Sequence, residues 1–512
     1  MINQSSGAGA LFELIARGVK DKYFMKDDKT SHFPYDARYA SSAHHLAERR
    51  LEVPVTRTQF GATFDVEINK YGDVLTECAF EIDLPSWFPP LPIDDGQPRA
   101  PSIANGLFPI TDALSGTSYG YVNYVGYYLF EKIQFYQDQF LIQEWSGDGL
   151  LAHEMSSGSW NSSFLRQMES GQMEGGQMEG GQQGQQGITV ERSIQLRATP
   201  GHLRIKLPLP GMQCPGDGGF PLTALPWQTF HIKGTLRKLE DLVVCSDPSV
   251  YKPAPWDVPQ FTYTTPSGVT TFAPNALVDI GQPTITLSTI QHYVPPAIQE
   301  ELRSKPIQIP FRKWFENQFT FGELDYISLD KGGVSAVTRR IDGRHPTERL
   351  FWFFRNQNQL DQNRLDSFYN DYFDSHPVTA QMQQTQPYTM PYGEFYYRLK
   401  LMIAGKERED SHEPFVWNQL TQFAKNEKAN GKQIGSMVWS TGDNYGVTYP
   451  AEREPEGTIN LSTADRPTLY IELANITSNN VLAQRKAEMR LYTEGWNVYE
   501  VKEGRGRILF AS

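Results

Sequence analysis

The stretch from Thr63 to Leu84 constrains the fold more than any other part of the chain. Phe64, Val66 and Ile68 alternate with Asp65, Glu67 and Asn69. Beyond Lys70-Tyr71-Gly72-Asp73, the residues Cys78, Phe80, Ile82 and Leu84 alternate with Ala79, Glu81 and Asp83. Period-two alternation puts one face of a strand in a core and the other in water, as in an antiparallel sheet. The sequence predicts two amphipathic strands forming a hairpin, with Gly72 supplying the positive φ of a tight turn.

The same grammar recurs. Further strands are expected at Leu203–Leu207, Thr229–Leu236 and 279–292, the last with Ile285 and Leu287 inward. The aromatic run Tyr119–Trp145 offers Phe130, Ile133, Phe135, Phe140 and Ile142 as core candidates. In the second half Phe395, Tyr397, Leu399, Leu401 and Ile403 alternate, as do Leu469, Ile471 and Leu473. The last strands are read as Met489–Tyr492, Val498–Val501 and Ile508–Phe510. Pro295-Pro296 followed by Ile298–Ser304 predicts a short linker helix, because proline suits a helix start and good helix formers follow. With 29 Phe, 25 Tyr and 10 Trp, the composition favours sheets over helices. For 512 residues, β domains of about 200 to 250 residues imply two. The boundaries are an arm (1–25), a first domain (26–292), a linker (293–306) and a second domain (307–512).

Two segments stand apart. The arm carries Ala8, Leu11, Phe12, Leu14 and Ile15 as a short apolar stripe. Residues 165–188 contain Gln-Met-Glu-Ser-Gly and two copies of Gln-Met-Glu-Gly-Gly, which have neither strand nor helix period. Their apolar surface is too small to offset ordering entropy, so an exposed loop is expected.

Chemistry-bearing motifs do not accumulate. Gly116-Thr-Ser118-Tyr-Gly120 has the spacing of a nucleophile elbow but lacks the strand-then-helix context, so Ser118 reads as a turn residue. His44-His45 followed by Glu48 is a poor metal set, because adjacent side chains diverge. Phe351-Trp352-Phe353-Phe354 would bury both faces of a strand, at a core and an interface, in preference to stacking on sugars. No catalytic, cofactor-binding or metal-ligating residue is assigned. Cys78, Cys214 and Cys245 form no disulfide framework, which fits a reducing compartment. Cys78 is expected to be a buried free thiol. No run of 18 apolar residues and no secretory leader is read. The sequons at Asn161, Asn460 and Asn475 therefore read as chance matches. A net charge of −12 without a basic tract argues against direct nucleic-acid packaging.

Six segments in chain order carry a resemblance. They are Gly9-Ala-Leu-Phe-Glu-Leu-Ile-Ala-Arg-Gly18 with Asp21 and Tyr23; Tyr71-Gly-Asp-Val-Leu-Thr76; Pro221-Leu-Thr-Ala-Leu225 with His231-Ile-Lys233; His345-Pro-Thr-Glu-Arg-Leu-Phe-Trp352; Glu454-Pro-Glu-Gly-Thr-Ile-Asn-Leu-Ser462; and Tyr492 with Asn497-Val498. Together they resemble the major capsid proteins of nucleocytoplasmic large DNA viruses, the chlorovirus type in particular. The resemblance implies an all-β chain of two consecutive eight-stranded jelly rolls with long loops. It implies a non-enzymatic structural protein and a homotrimer forming pseudo-hexagonal capsomers. These would tile an icosahedral virion capsid, assembled in the host cytoplasm, over an internal membrane. Implied partners are neighbouring capsomers, penton and minor capsid proteins, and, through residues 1–25, the internal membrane layer. The Gln-Met-Glu-Gly insertion and the segments 244–274 and 356–386 depart from the family pattern. A carbohydrate-binding or carbohydrate-active β-sandwich is the alternative, requiring two carboxylates about 5 to 10 Å apart in a cleft. A penton or minor shell component is a third reading, disfavoured by the presence of two full domains.

Overall fold

The computed structural model describes residues 47–85, 87, 110–156, 202–213, 218–245, 247, 250–265, 268–272, 281–326, 335–365, 395–408, 410–421, 434–439, 457–462, 466–473 and 486–510. The arm, the 165–188 repeat, His44, His45, Cys214, Asn161 and Asn475 lie outside the described residues.

Eight strands make the first sandwich: Ala47–Pro54, Thr63–Glu67, Val74–Asp83, Phe130–Gln137, Phe140–Trp145, His202–Lys206, Phe230–Leu236 and Thr284–Tyr293. Counted in chain order, one sheet runs first–eighth–third–sixth and the other second–seventh–fourth–fifth. Every pairing is antiparallel. Eight more strands repeat the same order: Ile307–Phe321, Ala336–Arg340, Pro346–Asn356, Tyr396–Ile403, Lys406–Glu407, Gly435–Val438, Thr468–Leu473 and Ala487–Lys502. This order, in which consecutive strands cross between two packed sheets, defines a jelly roll. The chain is therefore a double jelly roll. A separate five-stranded sheet, in the order Val243–Cys245, Ser118–Tyr121, Ile110–Asp112, Phe261–Thr265 and Gly268–Phe272, elaborates the first domain.

Alternation builds each core. In the first domain Cys78, Phe80 and Ile82 meet Phe64, Val66, Ile133, Phe135 and Ile232, all buried. Phe64 and Phe80 pack edge to face at 5.6 Å, and Phe80 stacks on Phe130 at 5.2 Å. Cys78 is a free, fully buried thiol, as expected, and burial pushes its pKa up.

Five local expectations need correction. Thr63–Glu67 and Val74–Asp83 do not form a hairpin: the first pairs with Phe230–Leu236, and the second with Thr284–Tyr293 in the opposite sheet. Alternation reports a buried face but not the partner strand, and here the chain crosses the sandwich between them. Gly72 is absent from the positive-φ glycines. It is needed instead for close approach, since a Cβ there would sit 2.6 Å from Gln291 Cβ. The Gln291 amide closes this bend, accepting from the Tyr71 and Gly72 N–H groups (3.1 and 2.7 Å) and donating to the Asn69 carbonyl (2.7 Å). Tyr397 points outward rather than into the core, because a register shift between Tyr396 and Arg398 flips the alternation. Phe140, at the start of an edge strand, is 74% exposed. Finally, Met489–Tyr492 and Val498–Val501 belong to one continuous strand, Ala487–Lys502, followed by Arg505–Ile508.

Helix Pro296–Ser304 stands between the two sandwiches, with proline in its first turn. Asp73 fixes its start, its Oδ2 accepting from the Val294 N–H (3.0 Å) and Gln299 Nε2 (2.9 Å). Arg303 Nη2 donates to Thr223 Oγ1 at 2.8 Å, tying the helix down at its other end.

Gly72→Ala should destabilise the protein by about 1–3 kcal/mol through overpacking against Gln291. Gly116→Ala serves as a contrast: a Cβ there meets nothing within 4 Å, and only its φ of +72° opposes the change. Urea denaturation of both variants checks this, and a Gly72→Ala midpoint equal to wild type would refute the packing account.

Candidate functional site: the seam between the jelly rolls

Strand Pro346–Asn356 is buried along nearly its whole length. Its aromatic run divides by parity. Trp352 and Phe354, with Leu350, join the second domain's own core beside Met489, Leu491 and Phe395. Phe351 and Phe353 point the other way and join a core continuous with the first domain. Phe351 stacks on Tyr492 at 4.9 Å, and Trp314 meets it edge-on at 6.0 Å. The large sheet of the second jelly roll is thus covered on both faces, by its own partner sheet and by the first jelly roll. That is why four aromatics follow one another without alternation.

Helix Gly147–Ser156 of the first domain lies against this face. Ser146 Oγ accepts from the Gly149 N–H at 3.1 Å and is 3.1 Å from the Tyr492 hydroxyl. The helix carries Asp148 and His153 into the seam. Arg355 Nη1 donates to Asp148 Oδ1 at 2.8 Å and Arg237 Nη2 to Asp148 Oδ2 at 2.7 Å. Arg355 also grips Glu488, with Nε and Nη2 at 2.9 and 2.6 Å from Oε1. Arg490 extends the network to Glu488 (3.4 Å) and Glu316 (2.5 Å). Three carboxylates therefore neutralise three guanidiniums.

Burial alone would raise the Asp148 carboxyl, but Arg355, Arg237 and Arg490 override it and hold it well below the carboxylate range. A second pair works alike. Glu494 is fully buried, and His153 Nε2 lies 3.2 Å from Oε1 while Arg349 Nη1 lies 3.7 Å from Oε2. Burial opposes its ionisation, yet His153, Arg349 and Arg312 keep it well below its usual value. Glu348 differs: burial dominates over Arg312, 3.0 Å away, and raises its pKa.

Side-chain amides satisfy the backbone across the seam. Gln213 accepts from the Arg312 N–H (2.6 Å) and donates to its carbonyl (2.8 Å), pairing with an edge strand as a neighbouring strand would. Tyr499 donates to Gln137 Oε1 at 2.6 Å, and Gln137 Nε2 donates to the Gly506 carbonyl at 2.8 Å. Asn363 Nδ2 reaches the carbonyls of Glu240 and Val243 at 2.7 and 2.8 Å. This arrangement fixes two bodies into one; it presents no nucleophile beside a base.

The residues singled out from sequence fall elsewhere. Ser118 lies in a strand with its hydroxyl 3.0 Å from Thr111 Oγ1. Glu48 sits on the exposed edge strand Ala47–Pro54. Among the described residues no three His, Cys, Asp or Glu converge as a metal set. Asn460 is exposed at a short strand, its Oδ1 accepting from the Ser462 N–H at 3.0 Å. The seam's charges were not anticipated. The sequence signal was the placing of Glu488, Arg490 and Glu494 among Met489, Leu491 and Tyr492 in strand Ala487–Lys502.

No protein-family model matches the chain. Among curated proteins, a major capsid protein of Phaeocystis pouchetii virus is 26% identical over 113 residues, 22% of this chain and 20% of that protein. The match thus spans about a fifth of the relative's length. Solved structures match along most of the chain. The PBCV-1 virus capsid chain has a TM-score of 0.60 at 15% identity, covering 93% of this chain and 98% of that one. The Faustovirus major capsid protein has a TM-score of 0.56 at 12% identity, covering 94% and 96%. At these identities the likeness establishes the double jelly-roll fold. With the curated match, it bears out the resemblance to major capsid proteins of large DNA viruses that the sequence motifs carry.

Asp148→Asn should destabilise the protein by about 3–5 kcal/mol at pH 7, since it leaves buried guanidiniums short of charge. Because the carboxyls of Asp148 and Glu494 are depressed in the fold, the stability they contribute is full above their unfolded values near pH ~4 and drains away as pH falls further. Glu348 acts in the opposite sense. Wild-type thermal midpoints should therefore fall below about pH 4, and Asp148→Asn should flatten that slope. Parallel slopes for the two proteins would exclude Asp148 as a source.

Proposed function

We propose that this protein is a major capsid protein of a large DNA virus, structural and non-enzymatic. Three copies would form a pseudo-hexagonal capsomer that tiles an icosahedral virion shell. The observation that carries this is the repetition of one strand order twice in a single chain, locked side by side through a buried seam. Two similar bodies per subunit let three subunits present six nearly equivalent sides. The likeness of the whole chain to viral capsid chains supports the same reading. So do large exposed apolar side chains such as Trp227 (82%) and Leu324 (82%), which suit burial between subunits.

The finer assignments belong to this proposal. The chain divides into an arm (1–25), jelly rolls at 26–292 and 307–512, and a linker at 293–306. Neighbouring capsomers, penton and minor capsid proteins are its partners, without direct nucleic-acid contact, and assembly takes place in the host cytoplasm. The arm faces inward, toward minor proteins or the internal membrane, because its apolar stripe has no core of its own. The repeat at 165–188 faces outward, because it is polar and without period.

Size-exclusion chromatography with light scattering tests the assembly. The expected mass is three times the 58.2 kDa chain. A folded protein that stays at one chain mass over a wide concentration range would overturn the trimer. In intact particles, a glutamyl endoprotease should cut at Glu169, Glu174 or Glu179 and spare Glu13. Cleavage at Glu13 with the repeat intact would reverse the inside–outside assignment.

A further inference from the structure

Beside the seam a cleft of about 780 Å³ opens between the jelly rolls. Leu141, Glu144, Trp145 and Ser146 wall it from the first domain, and residues of the second domain complete it, among them Lys313–Glu316, Arg340–Arg344 and Tyr492. Lys313 is only 7% exposed. Among the described residues its ammonium makes no ion pair within 4 Å, and it lies 5.7 Å from the Phe315 ring centroid. Arg340 and Arg344 stand exposed on the same wall. Neither makes an ion pair among the described residues.

The carboxylates of the cleft are mostly committed. Glu144 pairs with Lys132 at 2.9 Å and accepts from Gln134 Nε2 at 2.6 Å. Glu316 pairs with Arg490 at 2.5 Å. Among the described residues Asp342 is the one cleft carboxylate without a cationic partner within 4 Å, so three uncommitted cations face one uncommitted anion. Like charges crowd here. Burial, and then Arg344, lower the Lys313 pKa, with Glu144 opposing. Burial, then Lys313 and Arg344, lower that of His345, which is buried between Phe315 and Phe510. A largely buried lysine normally has a counter-ion, because an isolated buried charge is costly. Here Glu144 and Glu316 are engaged elsewhere, which leaves Asp342 as the one carboxylate of the cleft for three cations.

We infer that this cleft binds a phosphate-class oxyanion, held at its floor by Lys313 and at its rim by Arg344 and Arg340. The ammonium serves as a point charge, and the guanidinium forks suit the paired oxygens of a tetrahedral anion. The volume exceeds what a single phosphate fills, so a short polyphosphate chain fits as well as the free ion. This inference stands on the cleft alone and does not depend on the capsid reading.

Two measurements on the full chain test it. Thermal midpoints are compared in sodium phosphate and in sodium chloride of equal ionic strength, and calorimetric titrations use inorganic phosphate and tripolyphosphate. Phosphate should raise the midpoint above that in chloride. Lys313→Met should raise the anion-free midpoint, by removing a charge that lacks a counter-ion, and should weaken binding by about tenfold or more. Arg344→Gln, at an exposed position, should fold normally and bind more weakly; it carries the test if Lys313→Met fails to fold. Tighter binding of tripolyphosphate than phosphate would identify a chain of phosphates as the ligand, and equal binding the free ion. Identical midpoints in the two salts, or undiminished binding by Arg344→Gln and Lys313→Met, would overturn the inference.

Discussion

Everything else in this structure depends on one sheet being covered twice. The large sheet of the second jelly roll has a core on either side, and its central strands, Pro346–Asn356 and Ala487–Lys502, have almost no residue left in water. A strand in that position can carry charge only where a partner waits. Arg355 and Glu494 meet that condition through Asp148 and His153, which come from the other domain. Separating the domains would take Asp148 from Arg355 and His153 from Glu494. The seam is therefore a structural requirement of both halves, and the region 47–512 behaves as one compact unit.

The composition of the seam reflects this. Apolar contact supplies most of its favourable free energy, through the ring contacts of Phe351 with Tyr492 and Trp314 and of Phe220 with Tyr499. The ions contribute less net stability than their number suggests, since desolvation offsets much of their attraction. Their role is to fix one relative placement: a slide of one domain past the other would strand several buried charges at once. A subunit that must present the same sides to several neighbours needs such a fixed placement, and this links the seam to the proposed assembly.

How much of this was legible beforehand differs from feature to feature. Strand positions were, because alternation survives in any sheet with one wet face; Thr468–Leu473 and Thr284–Tyr293 were readable in this way. The double burial of Phe351–Phe354 was readable too, since consecutive aromatics have no wet side. Pairing was not. Thr63–Glu67 and Val74–Asp83 look like a hairpin because nearest neighbours in sequence usually pair, yet they lie in opposite sheets. Gly72 looked like a turn glycine and proved to be a contact glycine, a distinction set by Gln291, more than two hundred residues away. Tyr397 kept the period in sequence and lost it in space, because a bulge adds a residue without changing the pattern of letters.

The sequence by itself determined that this chain is built of amphipathic strands in two successive sets joined by a short helix. Those properties are local: they depend on side-chain period, on proline and on the apolar content of neighbouring residues. Tertiary structure alone decided which strands share a sheet and which carboxylate faces Arg355. It also decided that Lys313, Arg340 and Arg344 would share one cleft. Electrostatic partnership acts across a few ångströms of space regardless of separation along the chain, so a linear pattern of charges does not encode it. It becomes defined only when the two jelly rolls close on each other.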